Sequence, residues 1–495
     1  MNEATLKKAG QHRVAAATES SPPVRVGLVA LGCKVNQYEL DALGTELRRR
    51  GYVCVEADEP ADAYCVNTCA VTATSEKKSR QLIRRLHHQN PQAVIVVMGC
   101  YSQRAAATVA SLPGVRLVIG TGGRARIPDW LDQQMAARIS MAGDGEGDGD
   151  GDGQGNRDGG SAGAETRVHP VYRLRDYEEL PTAFTRHTRA VVKIQDGCSL
   201  FCSYCIIPHL RGPGRSRPPE AVREEVRQLV AAGYQEIVLT GVHLAGYGED
   251  LPGEWTLARL VREVGKVPGL TRLRLSSLHP NEVTDDLLQV LEETPAFCPH
   301  FHLPVQSGDD DILKRMRRRY RADQVRRLAE RLRRIWPEVA LTTDIITGFP
   351  GETEAAFART VSLCQDVGWS RLHVFPFSPR EGTPAARYPD QVEKAVREER
   401  ARELIRLGRE LAESYHRRFV GRQVEVLIEE EDPAGRALIG LTRTYVRVRV
   451  RPGEPGRPDA PDESEERSRP PARSLIQVDV TGADAGGLEA VCRSA

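Results

Sequence analysis

The stretch Asp196-Gly-Cys-Ser-Leu-Phe-Cys-Ser-Tyr-Cys-Ile-Ile-Pro208 sets Cys198, Cys202 and Cys205 in a C-x3-C-x2-C spacing within one short loop. Three thiolates that close in sequence can grip three irons of a cubane iron–sulfur cluster, leaving the fourth iron open to a substrate or cofactor. The alternative is a zinc knuckle, which needs a fourth ligand such as His209. What flanks the loop favours the cluster.

Around it, strand and helix patterns alternate. Strands are expected at 190–195, 236–240, 272–276, 300–305, 341–346 and 372–376, with helices at 219–232, 256–264, 285–291, 322–335 and 353–367. Six consecutive units predict a partial (β/α)6 barrel, which with a charged connecting helix makes one domain over 185–418. Active residues of such barrels lie on the loops after the strands, and the Cys198 loop follows the first strand. Thr240, Gly241, Ser276, Gln306 and Thr347 fall at other strand ends and are candidates for holding a zwitterionic nucleoside. Each alone is also an ordinary turn residue. Tyr204 could pack against an adenine or merely stack within its own loop.

Upstream, residues 24–135 read as a second alternating unit. Apolar runs at 24–31, 52–55, 63–67, 93–98 and 117–119 predict buried parallel strands, with amphipathic segments at 38–50 and 74–89 between them. This is an α/β pattern of the doubly wound kind, in which ligands bind beyond the carboxyl ends of the strands. Cys33 follows the first strand, Cys69 the third and Cys100 the fourth, each in a Gly- or Asn-bearing turn. One cysteine in such a place is more often a packing residue. Three at equivalent topological positions make a second cluster site. Cys54 and Cys65 fall inside strands and read as packing, although Cys65 stands four residues before Cys69 and could be exchanged for it.

Residues 136–184 form the linker, and its portion 141–163, dominated by Gly and Asp, is expected to lack order. Lys+Arg 69 against Asp+Glu 68 in 495 residues leaves no global basic field, so RNA contacts must come from local patches. Eleven cysteines are too sparse for a disulfide scaffold, and their clustering reads as metal ligation in a reducing compartment. Residues 1–23 hold no apolar core of signal-peptide length and no run is long enough to span a bilayer. A cytoplasmic protein without membrane contact is expected.

Beyond the charged helix at 391–418 lies a small β unit, 419–482. Val424, Val426 and Ile428 alternate with polar residues, as do Val446, Val448 and Val450 with Arg447, Arg449 and Arg451. Half-buried strands of this kind predict a small antiparallel β-barrel, interrupted by a Pro/Glu/Arg-rich insertion at 452–471 that is expected to be disordered. The outer arginines, with Tyr445 beside them, could grip RNA or merely solvate the strand face. The basic run 314–319 has the same two readings.

Leu31-Gly-Cys33-Lys-Val-Asn-Gln-Tyr-Glu39, Asn67-Thr-Cys69-Ala-Val-Thr72, Gly99-Cys100-Tyr-Ser-Gln103 and the Cys198 loop together resemble the radical S-adenosylmethionine (SAM) methylthiotransferases. The resemblance covers about 24–482 apart from the two insertions. It implies an amino-terminal methylthiotransferase domain, a radical SAM barrel and a carboxyl-terminal TRAM barrel. It also implies SAM and two 4Fe-4S clusters, one held by Cys198, Cys202 and Cys205 and the other by Cys33, Cys69 and Cys100. The Cys-Lys-Val-Asn-x-Tyr-Glu stretch resembles the branch that modifies N6-threonylcarbamoyladenosine beside the tRNA anticodon.

By that resemblance, one electron cleaves SAM to a 5′-deoxyadenosyl radical that takes the hydrogen from C2 of the adenine. Sulfur held and methylated at the second cluster is then transferred as a methylthio group. The implied partners are tRNA through its anticodon stem-loop, a flavodoxin-like electron donor and a sulfur donor. Methylthiolation of isopentenyladenosine in tRNA, or of a ribosomal-protein aspartate, would use the same six cysteines. From another class, a non-catalytic RNA-binding redox sensor would keep the clusters without a SAM pocket; the polar rim argues against it.

Overall fold

The computed structural model describes residues 23–143, 163–185, 187–432, 435, 437–451 and 473–492, with backbone alone for 137–143. The amino-terminal unit runs β1 (Arg25–Ala30), α1 (Lys34–Arg49), β2 (Val53–Glu56), β3 (Ala63–Thr68), α2 (Ala73–Gln89), β4 (Val94–Gly99), α3 (Cys100–Arg104), α4 (Ala106–Ala110), β5 (Val115–Ile119), α5 (Ile127–Gly143) and β6 (Glu165–Arg167). Its strands are all parallel, in the order β2-β1-β3-β4-β5-β6. β3 and β4 are buried on both faces, which is why they read as continuous apolar runs. The strand order reverses between β1 and β3, the point where open sheets leave a crevice.

Two features differ from the sequence expectation. α5 continues to Gly143, past 135 and into the start of the Gly/Asp-rich segment. Part of the expected linker is a sheet strand: β6 pairs with Leu117–Ile119, and Trp130 Nε1 donates to Glu165 Oε2 at 2.6 Å. A three-residue polar strand has no apolar period to detect. The rest of that segment, 144–162, and the insertion 452–471 lie outside the described residues.

The central unit comprises β7 (Arg189–Asp196), α6 (Ile207–Arg211), β8 (Arg215–Ser216), β9 (Glu236–Gly241), β10 (Arg272–Leu275), β11 (His300–His302), β12 (Ala340–Thr347) and β13 (Arg371–Pro376), with helices between them. Its two arcs, β10-β9-β7-β8 and β11-β12-β13, are joined by Leu273 N donating to Ala296 O at 2.7 Å and Cys298 N to Leu273 O at 2.8 Å. Only the two-residue β8 runs antiparallel to its neighbour. The result is the open six-strand barrel expected, filled by residues such as Leu239, Leu260, Phe301 and Trp369.

Helix Lys394–Arg417 leads into β14 (Gln423–Glu431), β15 (Leu438–Thr442), β16 (Arg447–Arg451), β17 (Leu475–Asp484) and β18 (Gly487–Cys492). They close into a barrel in the order β14-β15-β16-β18-β17. Val426, Ile428, Val446, Val448 and Val450 fill its interior, as their alternation predicts. One pairing departs from an all-antiparallel barrel: β16 and β18 run parallel where the sheet closes. Among the described residues no helix is long and apolar enough to cross a membrane.

Candidate active site

The Cys198 loop leaves the end of β7 through Gly197, at φ +74°. A Cβ there would lie 1.9 Å from the Pro213 carbonyl oxygen, so only glycine lets the two backbones pass. Cys198 N donates to Gly212 O at 3.0 Å, Ser203 N to Met316 O at 3.1 Å and Ser203 Oγ to Arg315 O at 2.7 Å. These bonds fix the loop on the barrel rim. Burial pushes the Cys198 thiol up to about 11 and the Cys205 thiol up to about 12.

The second set forms at the crevice of the amino-terminal sheet. Cys33 caps α1, Cys69 follows β3, and Cys100 opens α3 directly after β4. Gly32 (φ +102°) packs so closely over Cys69 that a Cβ would meet its sulfur at 2.9 Å. Burial raises the Cys69 thiol and lifts Cys100 to about 11, and each cysteine's neighbours include the other two of the set. Cys65 stays fully buried within β3 and belongs to the core, which removes its ambiguity with Cys69.

Neither cysteine set stands at the spacing of three ligands around a single zinc. Around one tetrahedral zinc, with Zn–S bonds of ~2.3 Å, sulfurs stand roughly 3.8 Å apart. Among the described residues, the trios of His, Cys, Asp or Glu donor atoms within 4.8 Å of one another are His243/His279/Glu282 and His302/Asp344/His373. Neither includes a cysteine, so in neither thiol set do all three sulfurs lie within 4.8 Å of one another. His209 is exposed on α6 with its ring edge-on to Phe201.

A cavity of about 660 Å³ joins the two domains. Cys33, Cys69 and Cys100 line it opposite the ends of β9 and β10, where Thr240, Gly241 and Ser276 stand. Ser276 Oγ is buried without a hydrogen-bond partner, a state that a polar ligand would relieve. The rim candidates Gln306 and Thr347, and Tyr204 of the Cys198 loop, are not on this wall. Gln306 is held by backbone bonds to Asp344 and Ile346, and Thr347 Oγ1 donates to Arg397 O at 2.9 Å. Tyr204 packs edge-on against Phe349, 6.4 Å between centroids, beside Tyr388. Thr347 closes β12, Gln306 lies four residues beyond the end of β11, and Tyr204 sits within the Cys198 loop.

Behind the second cysteine set lies an ion network with no sequence signal. Lys193 Nζ reaches Glu39 Oε1 at 2.9 Å and Asp196 Oδ2 at 2.7 Å; Arg211 Nη1 reaches the same two carboxylates, each at 2.9 Å. Arg124 also pairs with Glu39. Burial alone would raise both carboxyls, but the surrounding cations hold Glu39 and Asp196 well below the usual carboxylate range. Arg211 Nη2 further donates to Asn36 Oδ1 at 2.7 Å. Residues of the amino-terminal domain and the barrel are thereby locked together.

The carboxyl-terminal barrel docks through arginines. Arg272 donates to Leu441 O and Glu425 O, Arg274 to Arg443 O, and Arg189 to Glu429 Oε1, at 2.7 to 3.0 Å. Tyr445 corrects the sequence expectation. It does not lie beside Arg447, Arg449 and Arg451 on an outer face; at φ +66° it turns inward, stacks on His300 (4.8 Å, 24°) and lines the cavity. A left-handed conformation at a tyrosine is invisible to an alternation pattern.

The family described as Radical SAM superfamily matches residues 192–364, and the one described as Uncharacterized protein family UPF0004 matches residues 25–120. The chain is 41% identical over 428 residues to threonylcarbamoyladenosine tRNA methylthiotransferase MtaB of Bacillus subtilis (strain 168), covering 86% of this chain and 89% of that protein. The MtaB of Thermotoga maritima is 38% identical, covering 85% and 90%. The tRNA-2-methylthio-N(6)-dimethylallyladenosine synthase of Clostridium botulinum (strain Okra / Type B1) is 33% identical, covering 83% and 88%. Among solved structures, the radical S-adenosylmethionine methyltransferase TsrM of Kitasatospora setae shares the fold at TM-score 0.50 and 17% identity, covering 74% of this chain and 77% of that one.

Proposed function

The chain belongs to the radical SAM tRNA methylthiotransferases, and from that premise we infer that it adds a methylthio group to C2 of N6-threonylcarbamoyladenosine in tRNA. SAM and two 4Fe-4S clusters are its cofactors. The observation that carries the reading is the cavity between the domains: Cys33, Cys69 and Cys100 line it across from the ends of β9 and β10, in the barrel whose first loop bears Cys198, Cys202 and Cys205 just outside that lining. These two sets are the proposed ligands. When bound, the clusters supply the electron that splits SAM and the site at which sulfur is methylated.

The chain's own residues supply position and environment. Ser276 Oγ, buried and unpartnered, offers a hydrogen bond at the wall, and Thr240 and Gly241 continue that wall. Arg211 Nε donates to Cys100 Sγ at 3.4 Å, favouring an anionic sulfur there. The cavity lies between domains, where the target base must leave its stack to enter. The chemistry requires an electron donor, for which a flavodoxin-like protein is proposed, and a sulfur donor. The cytoplasm is the proposed compartment, where tRNA and reducing conditions coincide.

The test is anaerobic reconstitution followed by turnover on an anticodon stem-loop carrying threonylcarbamoyladenosine, read by nucleoside mass spectrometry. Methylthiolated product is expected. Product only with a dimethylallyladenosine stem-loop would move the chain to the other tRNA branch.

A further inference from the structure

The two tRNA substrates named among the relatives differ in the polarity and charge of the N6-substituent. The threonylcarbamoyl group carries a free carboxylate and a hydroxyl, whereas the dimethylallyl group is apolar throughout. Lys34 and Arg371 face the cavity, and neither makes an ion pair among the described residues. The carboxylate on the lining, Asp344, is already met by His302 Nε2 at 3.3 Å and His373 Nδ1 at 3.2 Å.

Lys34 Nζ stands 5.9 Å from the centroid of the Tyr445 ring, and that ring is stacked on His300. His300 is buried, and its Nδ1 has no partner. Arg371 adjoins the same corner: its strand neighbour Thr342 binds His300 Nε2 at 3.1 Å and His302 Nδ1 at 2.9 Å through its hydroxyl. Tyr445 is fixed there by the Arg189 Nη1 bond to its hydroxyl, 3.1 Å, despite the cost of a left-handed backbone.

We propose that Lys34 and Arg371 read the carboxylate on the N6-substituent of the target base, with the Tyr445–His300 stack as the wall against which that substituent lies. This deepens the substrate reading above and rests on it. Substrate entering the cavity expels water from both cations, and a carboxylate replaces that hydration with a charge-assisted bond. An apolar substituent leaves them desolvated and unpaired, so the same residues reject the wrong base.

The experiment is filter binding of holoenzyme to stem-loops carrying threonylcarbamoyladenosine, its methyl ester, or dimethylallyladenosine, with kcat and KM measured alongside. Wild type should prefer the free acid to the ester by roughly tenfold or more. Lys34→Met and Arg371→Met should each lose most of that preference by weakening the acid while sparing the ester, and Lys34→Arg should retain it. Iron content checks that Lys34→Met, one residue from Cys33, keeps its cluster; Arg371→Met on β13 carries the test if it does not. Equal binding of acid and ester by wild type overturns the proposal. So does uniform weakening of all three stem-loops in both variants, which would assign the cations to RNA phosphate. Binding preference is scored apart from turnover, so an incorrect substrate assignment and an incorrect carboxylate assignment give different results.

Discussion

Arg211 and Cys100 lie on different domains, yet Arg211 Nε approaches the Cys100 sulfur to 3.4 Å while its other nitrogens hold Glu39, Asp196 and Asn36. One guanidinium therefore joins the domain interface to the second cysteine set. Its rigid fork makes this possible; a lysine ammonium could not serve the same directions at once.

Arg211→Met should leave Glu39 and Asp196 buried with one cation fewer, costing about 3–5 kcal/mol of stability. Arg211→Lys should cost less. Chemical denaturation measures both, and an unchanged midpoint in the Met variant would remove this residue from the stability of the interface.

Acid should weaken the same interface. Glu39 and Asp196 are held below their usual range in the folded chain, so the unfolded chain binds protons first as pH falls. Their contribution is complete above about pH 5, begins to fall as pH passes the unfolded values near 4, and is fully lost only as pH drops through the depressed folded-state values. Glu39→Gln should be less stable at pH 7 and show a shallower acid loss. Parallel pH profiles of wild type and variant would contradict this.

The six proposed ligands should divide into two sets of three. Reconstituted wild type should carry about eight irons, and Cys198→Ala with Cys202→Ala about four. Cys69→Ala should still cleave SAM reductively but form no methylthiolated nucleoside, whereas Cys202→Ala should do neither. Gly197→Ala should also lose iron from the first set alone, because its added Cβ strikes the Pro213 carbonyl. Total iron near four in wild type would eliminate one set.

The outer arginines of the small barrel are each already met by a carboxylate: Arg447 by Glu430 at 3.6 Å, Arg449 by Asp432 at 2.6 Å and Arg451 by Glu489 at 3.3 Å. Replacing all three with glutamine should change the salt slope of stem-loop binding by less than one phosphate contact, about 0.7. A fall of roughly 2 would restore that face as an RNA grip. Deleting the barrel is a different perturbation, because it strips Arg272 and Arg274 of their carbonyl partners and removes Tyr445 from the cavity.

The sequence by itself determined the three α/β and β units, the six cysteines and their division into two sets. Those features are local or periodic: a C-x3-C-x2-C loop, cysteines after apolar strand runs, and valines alternating with arginines along a strand. A parallel topology then carries every strand end to one edge, so the cysteines converge without further instruction. Tertiary structure alone decided which rim residues reach the cavity. Ser276 and Thr347 both stand at strand ends, yet one faces the void and the other ties down a helix. It also decided that Tyr445 turns inward and that Glu39, Lys193, Asp196 and Arg211 form one cluster. Those pairings join residues up to 172 positions apart, such as Glu39 and Arg211. Charge compensation at that separation depends on how the domains pack, and a buried carboxylate reads in sequence like an exposed one.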